Sequence, residues 1–177
     1  MCKFDLEIIN GNIVTSEGIF KGSLAIKNGI ISRISRDPLG DSCERIDAEN
    51  MYVLPGMIDE HVHFMDPCET EREDFEHGTM AAAMAGVTTV VEHTHACPIR
   101  TVEDFRRKKE YLNGKSFIDF GLAAHVWPGY FKEIPLLWKE GILLFKIFTA
   151  TTHGVPGLNN YDLYKVLMEI ASLNAVA

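Results

Sequence analysis

Apolar and polar positions follow one rule up to about residue 55 and another beyond it. Before that point, short runs at 5–9, 23–26 and 30–34 are separated by Asn10-Gly11 and Asn28-Gly29. Asn-Gly between alternating runs is a strong hairpin signal, because both residues accept the positive φ that a two-residue turn requires. The stretch 1–55 is therefore predicted to be a small antiparallel β unit. After Pro55-Gly56, β-branched apolar runs alternate with stretches of helical period, the pattern of βα units around a parallel sheet. A strand at 57–64 leads to a helix opened by Thr70 and Glu73, a capping box, and closed by Gly86. A strand at 87–91 leads to a helix starting at Thr101 with Asp104. A third strand spans 118–126 and a fourth is the apolar run 142–148. A last helix after Asn159-Asn160 places Leu163, Val166, Leu167, Ile170 and Leu173 on one face. Four βα units are half of an eight-unit barrel, which typically needs ~250 residues. The expectation is thus an α/β protein with a boundary near residue 55, continuing past Ala177.

Charge narrows the classes. With 17 Lys+Arg against 25 Asp+Glu, a net charge of −8, nucleic acid is not an expected partner. A chain with 46% apolar and 24% charged residues is an ordinary globular one, not a disordered one. No apolar run approaches the ~18 residues that cross a bilayer, and Asp5 falls where a signal peptide would be apolar. No membrane partner and a cytoplasmic location are expected. Cys2, Cys43, Cys68 and Cys97 form no CxxC pair, so reduced thiols are expected and any metal should be held by His, Lys or carboxylate.

Side chains alternate across a strand, so Asp59, His61 and His63 share a face, inward in a parallel barrel. Two imidazoles at the C-terminal end of a barrel strand are half of a site for zinc or a related ion. The other reading of HxH is a pair of hydrogen-bonded core histidines. Lys146 is the only charge in the run 142–148. A buried ammonium must be paired, neutralised or modified. Its neutral amine can add CO₂ to give a carbamate whose two oxygens bridge two metal ions; alternatively Lys146 pairs with a carboxylate such as Asp59, or sits at an exposed edge.

The string Leu54-Pro55-Gly56-Met57-Ile58-Asp59-Glu60-His61-Val62-His63, followed by Asp66-Pro67, Gly86-Val87-Thr88-Thr89-Val90 and Phe145-Lys146-Ile147-Phe148, resembles the cyclic amidohydrolases: allantoinase, hydantoinase (dihydropyrimidinase) and dihydroorotase. The resemblance covers essentially the whole chain. It implies a (β/α)8 TIM barrel beside a small β-sandwich subdomain built from both chain ends, with 1–55 as the N-terminal part of the sandwich and 56–177 as the first half of the barrel. It also implies two divalent metal ions, usually zinc, with His61 and His63 on one and carbamylated Lys146 bridging both. Two further histidine ligands and the catalytic aspartate would lie beyond Ala177. The implied activity is opening of a small cyclic amide or ureide by metal-activated hydroxide. The intact protein is expected to be a homo-oligomer, and residues 1–177 alone are expected to be inactive.

Within that family, Met65 stands where similar dihydroorotases carry an arginine for the substrate carboxylate, and Thr151 stands where hydantoinases usually place a tyrosine. The run 145–154 resembles allantoinases most. In Glu92-His93-Thr94-His95-Ala96-Cys97-Pro98, where relatives often have a substrate-binding asparagine, His93 and His95 either take over that contact or are plain polar loop residues. Asp59 either supports the ligands from behind or closes the barrel floor. His125 and Trp127 line the pocket or simply pack, while Glu69, Arg72 and the run 106–109 read as solvated surface. The alternatives are a dihydroorotase-like enzyme, a non-catalytic amidohydrolase-fold assembly protein, which would be expected to have lost His61, His63 and Lys146, and a small α/β binding domain, for which no glycine-rich phosphate loop speaks.

Overall fold

A computed structural model describes residues 2–177, and the chain falls into two compact units that divide between Pro55 and Gly56.

The first unit is one mixed sheet of β1 (Phe4–Thr15), β2 (Gly18–Lys27), β3 (Ile30–Ser35), β4 (Ser42–Asp47) and β5 (Tyr52–Val53). The order is β3-β2-β1-β4, with β5 also on β1. Asn28-Gly29 forms the turn between β2 and β3, both residues at positive φ. Asn10-Gly11 does not form a hairpin. Asn10, at φ 56°, sits in a bulge where the β1–β2 register slips between Ile8 and Gly11, and the chain reverses only after Thr15. A left-handed residue can bend a strand as well as end it. The antiparallel expectation also fails in part, because β4 and β5 pair with β1 in parallel.

The second unit alternates β6 (Met57–Val62), α1 (Phe75–Met84), β7 (Val87–Glu92), α2 (Val102–Leu112), β8 (Asp119–His125), α3 (Ile134–Glu140), β9 (Leu144–Lys146) and α4 (Asn160–Ser172). Its sheet runs β6-β7-β8-β9, all parallel and in chain order. Helix α2 starts as read, with Thr101 and Asp104 forming a capping box. Helix α1 starts later than read. Asp74 caps it by accepting the His77 N–H at 2.8 Å, and buried Asp66 accepts the Phe75 N–H at 3.0 Å, so Thr70 and Glu73 lie in the preceding loop. Helix α3 has no counterpart in the sequence reading; Pro135 marks its first turn and Gly141, at φ 104°, ends it. In α4 Val166 and Ile170 are buried but Leu167 is 45% exposed, so the apolar stripe is narrower than its spacing suggested.

Val90, Leu122, Ala124 and Phe145 face the helices and join Phe105, Leu112, Leu137 and Ile142 in the core. The alternate strand positions therefore turn to the other face, which carries the chemistry. Helix and site meet at Gly78, where an added Cβ would run into the ring of Phe64, the residue after His63. Gly78→Ala is expected to lower stability by about 1–3 kcal/mol through overpacking, measured as a fall in the urea midpoint; an unchanged midpoint would show that the ring moves aside freely.

The cysteines are not scattered in space. Cys2 lies 5.3 Å (Cα–Cα) from Cys43 and Cys68 lies 6.0 Å from Cys97, and both pairs are joined as disulfides. The parallel register Phe4↔Ser42 brings the first pair together. Separations of 41 and 29 residues hide such pairing from any spacing rule.

Candidate metal centre

Three nitrogens converge at the carboxyl ends of the first and last strands of the parallel sheet. His61 Nε2 and His63 Nε2 are 3.1 Å apart, and Lys146 Nζ lies 3.1 Å from the first and 3.3 Å from the second. Strand β6 supplies His61, His63 follows directly after its last residue, Val62, and β9 supplies the lysine from its last residue. No carboxylate contacts these three nitrogens within the described residues. Burial, reinforced by the Lys146 charge, pushes His63 down to about 4, so its ring is neutral at pH 7. Burial also lowers Lys146, with Glu92 acting in the opposite sense. Two imidazoles, that of His63 neutral, and an amine more easily deprotonated than usual form a donor set that suits zinc or a related ion. Among the described residues no three His, Cys, Asp or Glu side chains make such a cluster; the third group here is a lysine.

Lys146 does not pair with Asp59. The Asp59 Oδ1 accepts the His61 backbone N–H at 3.1 Å, and its side chain is exposed. His93 and His95 are not free loop residues. The His93 ring stacks on His61 with centroids 4.3 Å apart, and its Nε2 donates to the Glu60 carbonyl at 2.8 Å. His95 meets His63 edge-on at 5.3 Å and lies 4.6 Å from His153, which the sequence reading did not single out. His125 pairs with Lys146 in the β8–β9 register, and both of its ring nitrogens are buried without a partner. Trp127 stacks beneath the Arg100 guanidinium at 5.3 Å, a packing role. Glu69 and Arg72 form a surface ion pair. Lys108 departs from the surface reading: it is 6% exposed, because helical period places it on the stripe of Phe105 and Leu112.

Burial holds His93 at about 4 and His125 at about 3, with Lys146 adding to both shifts. In the unfolded chain a histidine titrates near 6.5. The folded pKa values are depressed, so this contribution to stability is complete above about pH 6.5 and is lost as pH falls through the folded values. The melting temperature of the metal-free protein is expected to drop between pH 7 and pH 4, and His125→Leu should flatten that dependence. An acid dependence identical in wild type and His125→Leu would sink this assignment.

The amidohydrolase family profile matches residues 52–119. A dihydroorotase of Methanosarcina acetivorans is 34% identical over 176 residues, covering 98% of this chain and 38% of that protein. An allantoinase of Rubrobacter xylanophilus is 35% identical over 179 residues, covering 98% and 39%. The solved L-hydantoinase (dihydropyrimidinase) from Arthrobacter aurescens superposes with a TM-score of 0.89 at 30% identity, over 97% of this chain and 39% of its own. The chain thus spans about two fifths of the length of the curated relatives it matches. By sequence and by fold it is thus similar, over nearly its whole described length, to proteins named hydantoinase, allantoinase and dihydroorotase.

Proposed function

We propose that the protein hydrolyses a cyclic amide or ureide at a centre of two divalent ions, zinc foremost, held in part by His61, His63 and Lys146. The observation that carries this reading is the convergence of His61 Nε2, His63 Nε2 and Lys146 Nζ within 3.1–3.3 Å. The four parallel strands are read as the first half of a (β/α)8 barrel and residues 1–55 as the N-terminal part of a β-sandwich subdomain. Support comes from relatives of which the chain covers 38–39%, and from apolar Met57 and Ile58 on edge strand β6, 55% and 70% exposed, where a further strand would bury them.

Bound ions would lower the pKa of a water toward neutrality and polarise the ring carbonyl. His61 and His63 present imidazole nitrogens, that of His63 held neutral by burial. Lys146 adds CO₂: its nitrogen forms the new N–C bond and releases a proton, leaving a carbamate with two oxygen donors and a negative charge. The base that passes a proton to the leaving nitrogen is assigned to a carboxylate on a later strand, since Asp59 is engaged by the His61 N–H. Met65 is 3% exposed and offers no charge to a substrate carboxylate. This favours an uncharged ring such as a hydantoin or allantoin over dihydroorotate. His95 lies against His63, with His153 against His95, and their ring nitrogens can meet ring N–H and C=O groups as donor and acceptor. Ring opening of allantoin, hydantoin, dihydrouracil and dihydroorotate by full-length protein with zinc and bicarbonate tests the reading. Hydrolysis of one of the first three supports it, and inertness toward all four overturns it.

A further inference from the structure

A buried chain of hydrogen bonds runs from a helix to the backbone beside the candidate centre. Lys108, on α2, donates from Nζ to Glu92 Oε2. Glu92 closes β7 and is 1% exposed; its Oε1 accepts both the Thr94 N–H, at 2.7 Å, and the Thr94 hydroxyl. The Thr94 oxygen in turn accepts the Met65 N–H at 3.0 Å. Met65 stands at φ 58°, a left-handed conformation that costs a non-glycine residue about 1–2 kcal/mol. That conformation turns the chain immediately after His63-Phe64. On the other flank, residues 92 and 94 are both anchored by the same chain, and His93 between them stacks on His61.

Stability alone does not explain the arrangement. Burying an ammonium and a carboxylate costs desolvation that an apolar pair of similar volume would not incur, so a buried ion pair is weak evidence for a stabilising role. What the pair does supply is a fixed direction, because Glu92 reaches Thr94 through two hydrogen bonds and Thr94 reaches Met65 through one.

We propose that Lys108, Glu92 and Thr94 are positioning residues that hold the turn after His63 and the ring of His93, and so set the spacing of the His61, His63 and Lys146 nitrogens for metal binding. The proposal rests on the metal-centre reading above. Partners that orient ligands from behind typically change metal affinity 10–100-fold when removed.

The test uses full-length protein and zinc alone, with affinity measured by chelator competition and exchange of the Met65 amide measured on the metal-free form. Thr94→Val keeps the shape and removes the hydroxyl; it is expected to weaken zinc binding roughly 10–100-fold and to speed Met65 exchange. Thr94→Ser is expected to restore both. Leu137→Ala, a core change remote in sequence from the chain of bonds, should lower the melting temperature and leave zinc affinity within about twofold, which separates positioning from general loosening. Wild-type zinc affinity and Met65 exchange in Thr94→Val would overturn the proposal, as would equal weakening by Leu137→Ala. A wild-type protein that takes up no zinc overturns the metal-centre reading and with it the claim on metal affinity; fast Met65 exchange in Thr94→Val would then still establish that the hydroxyl holds the turn after His63.

Discussion

Lys146→Ala is expected to abolish the proposed ring opening by the full-length protein, lowering turnover by roughly three powers of ten, with bicarbonate, acetate or propionate restoring part of it. Each ~1.4 kcal/mol of lost transition-state stabilisation is a factor of ten, and bound ions contribute several kcal/mol. Lys146 is the one charge in the run 142–148; among the described groups its Nζ hydrogen-bonds only two imidazole nitrogens, lies 5.4 Å from the Phe148 ring centroid and contacts no carboxylate. As an ammonium it would repel a cation placed against those imidazoles. As a carbamate it carries the opposite charge and two oxygen donors, which a small carboxylate can imitate in the space the alanine leaves. Lys146→Arg should fail without rescue, since a guanidinium stays protonated and fills the space. The measurement is kcat with and without added carboxylate, beside the ¹³C signal of protein equilibrated with labelled bicarbonate. Wild-type turnover in Lys146→Ala, or no carbamate signal in the wild type, would dismiss this role.

The part of the fold that was legible in the sequence is the part written in local signals. The change of period at Pro55-Gly56, the Thr101–Asp104 capping box and the turn at Asn28-Gly29 all depend on residues within a few positions of one another. Asn10-Gly11 misled because the same left-handed preference serves a bulge when the flanking residues keep pairing, as Ile8 and Gly11 do with β2. Thr70 and Glu73 misled because Asp74 caps α1 and Asp66, nine residues upstream across the intervening loop, satisfies the N–H of Phe75, so the helix begins later. The pairing of Cys2 with Cys43 depends on parallel register, which spacing along the chain does not encode, whereas the burial of Lys108 follows the helical period it shares with Phe105 and Leu112 and was masked by its place in a run of four basic residues. At the site, the meeting of His61 and His63 followed from strand alternation, whereas the approach of Lys146 followed only from the order of four strands in one sheet. His93 and His95 were ambiguous for the same reason: a residue just past a strand end is a loop residue by sequence and a site residue by topology.

His61→Ala and His63→Ala are each expected to strip the protein of most of the metal proposed to bind it, and Asp59→Ala is not. A zinc site built from protein ligands gains about 10–16 kcal/mol in all, so one ligand's share corresponds to at least a hundredfold in affinity. The two imidazoles are not equivalent. His61 is exposed and carries His93 stacked on its ring, so its loss leaves space beside the site. His63 is half-buried, with Nδ1 unpartnered, and alanine there also removes contact with His95. His63→Ala is therefore expected to give the lower metal content and to disturb the His95 side of the site. Asp59 touches only the His61 backbone N–H, so its replacement should cost some strand order at the exposed end of β6 and leave the nitrogen donors in place. Elemental analysis after gel filtration, with protein quantified in the same fractions, decides between these outcomes. Equal zinc in wild type, His61→Ala and His63→Ala would move the metal to other groups. Loss of zinc in Asp59→Ala alone would mean that the carboxylate, not the imidazole pair, is the ligand on β6.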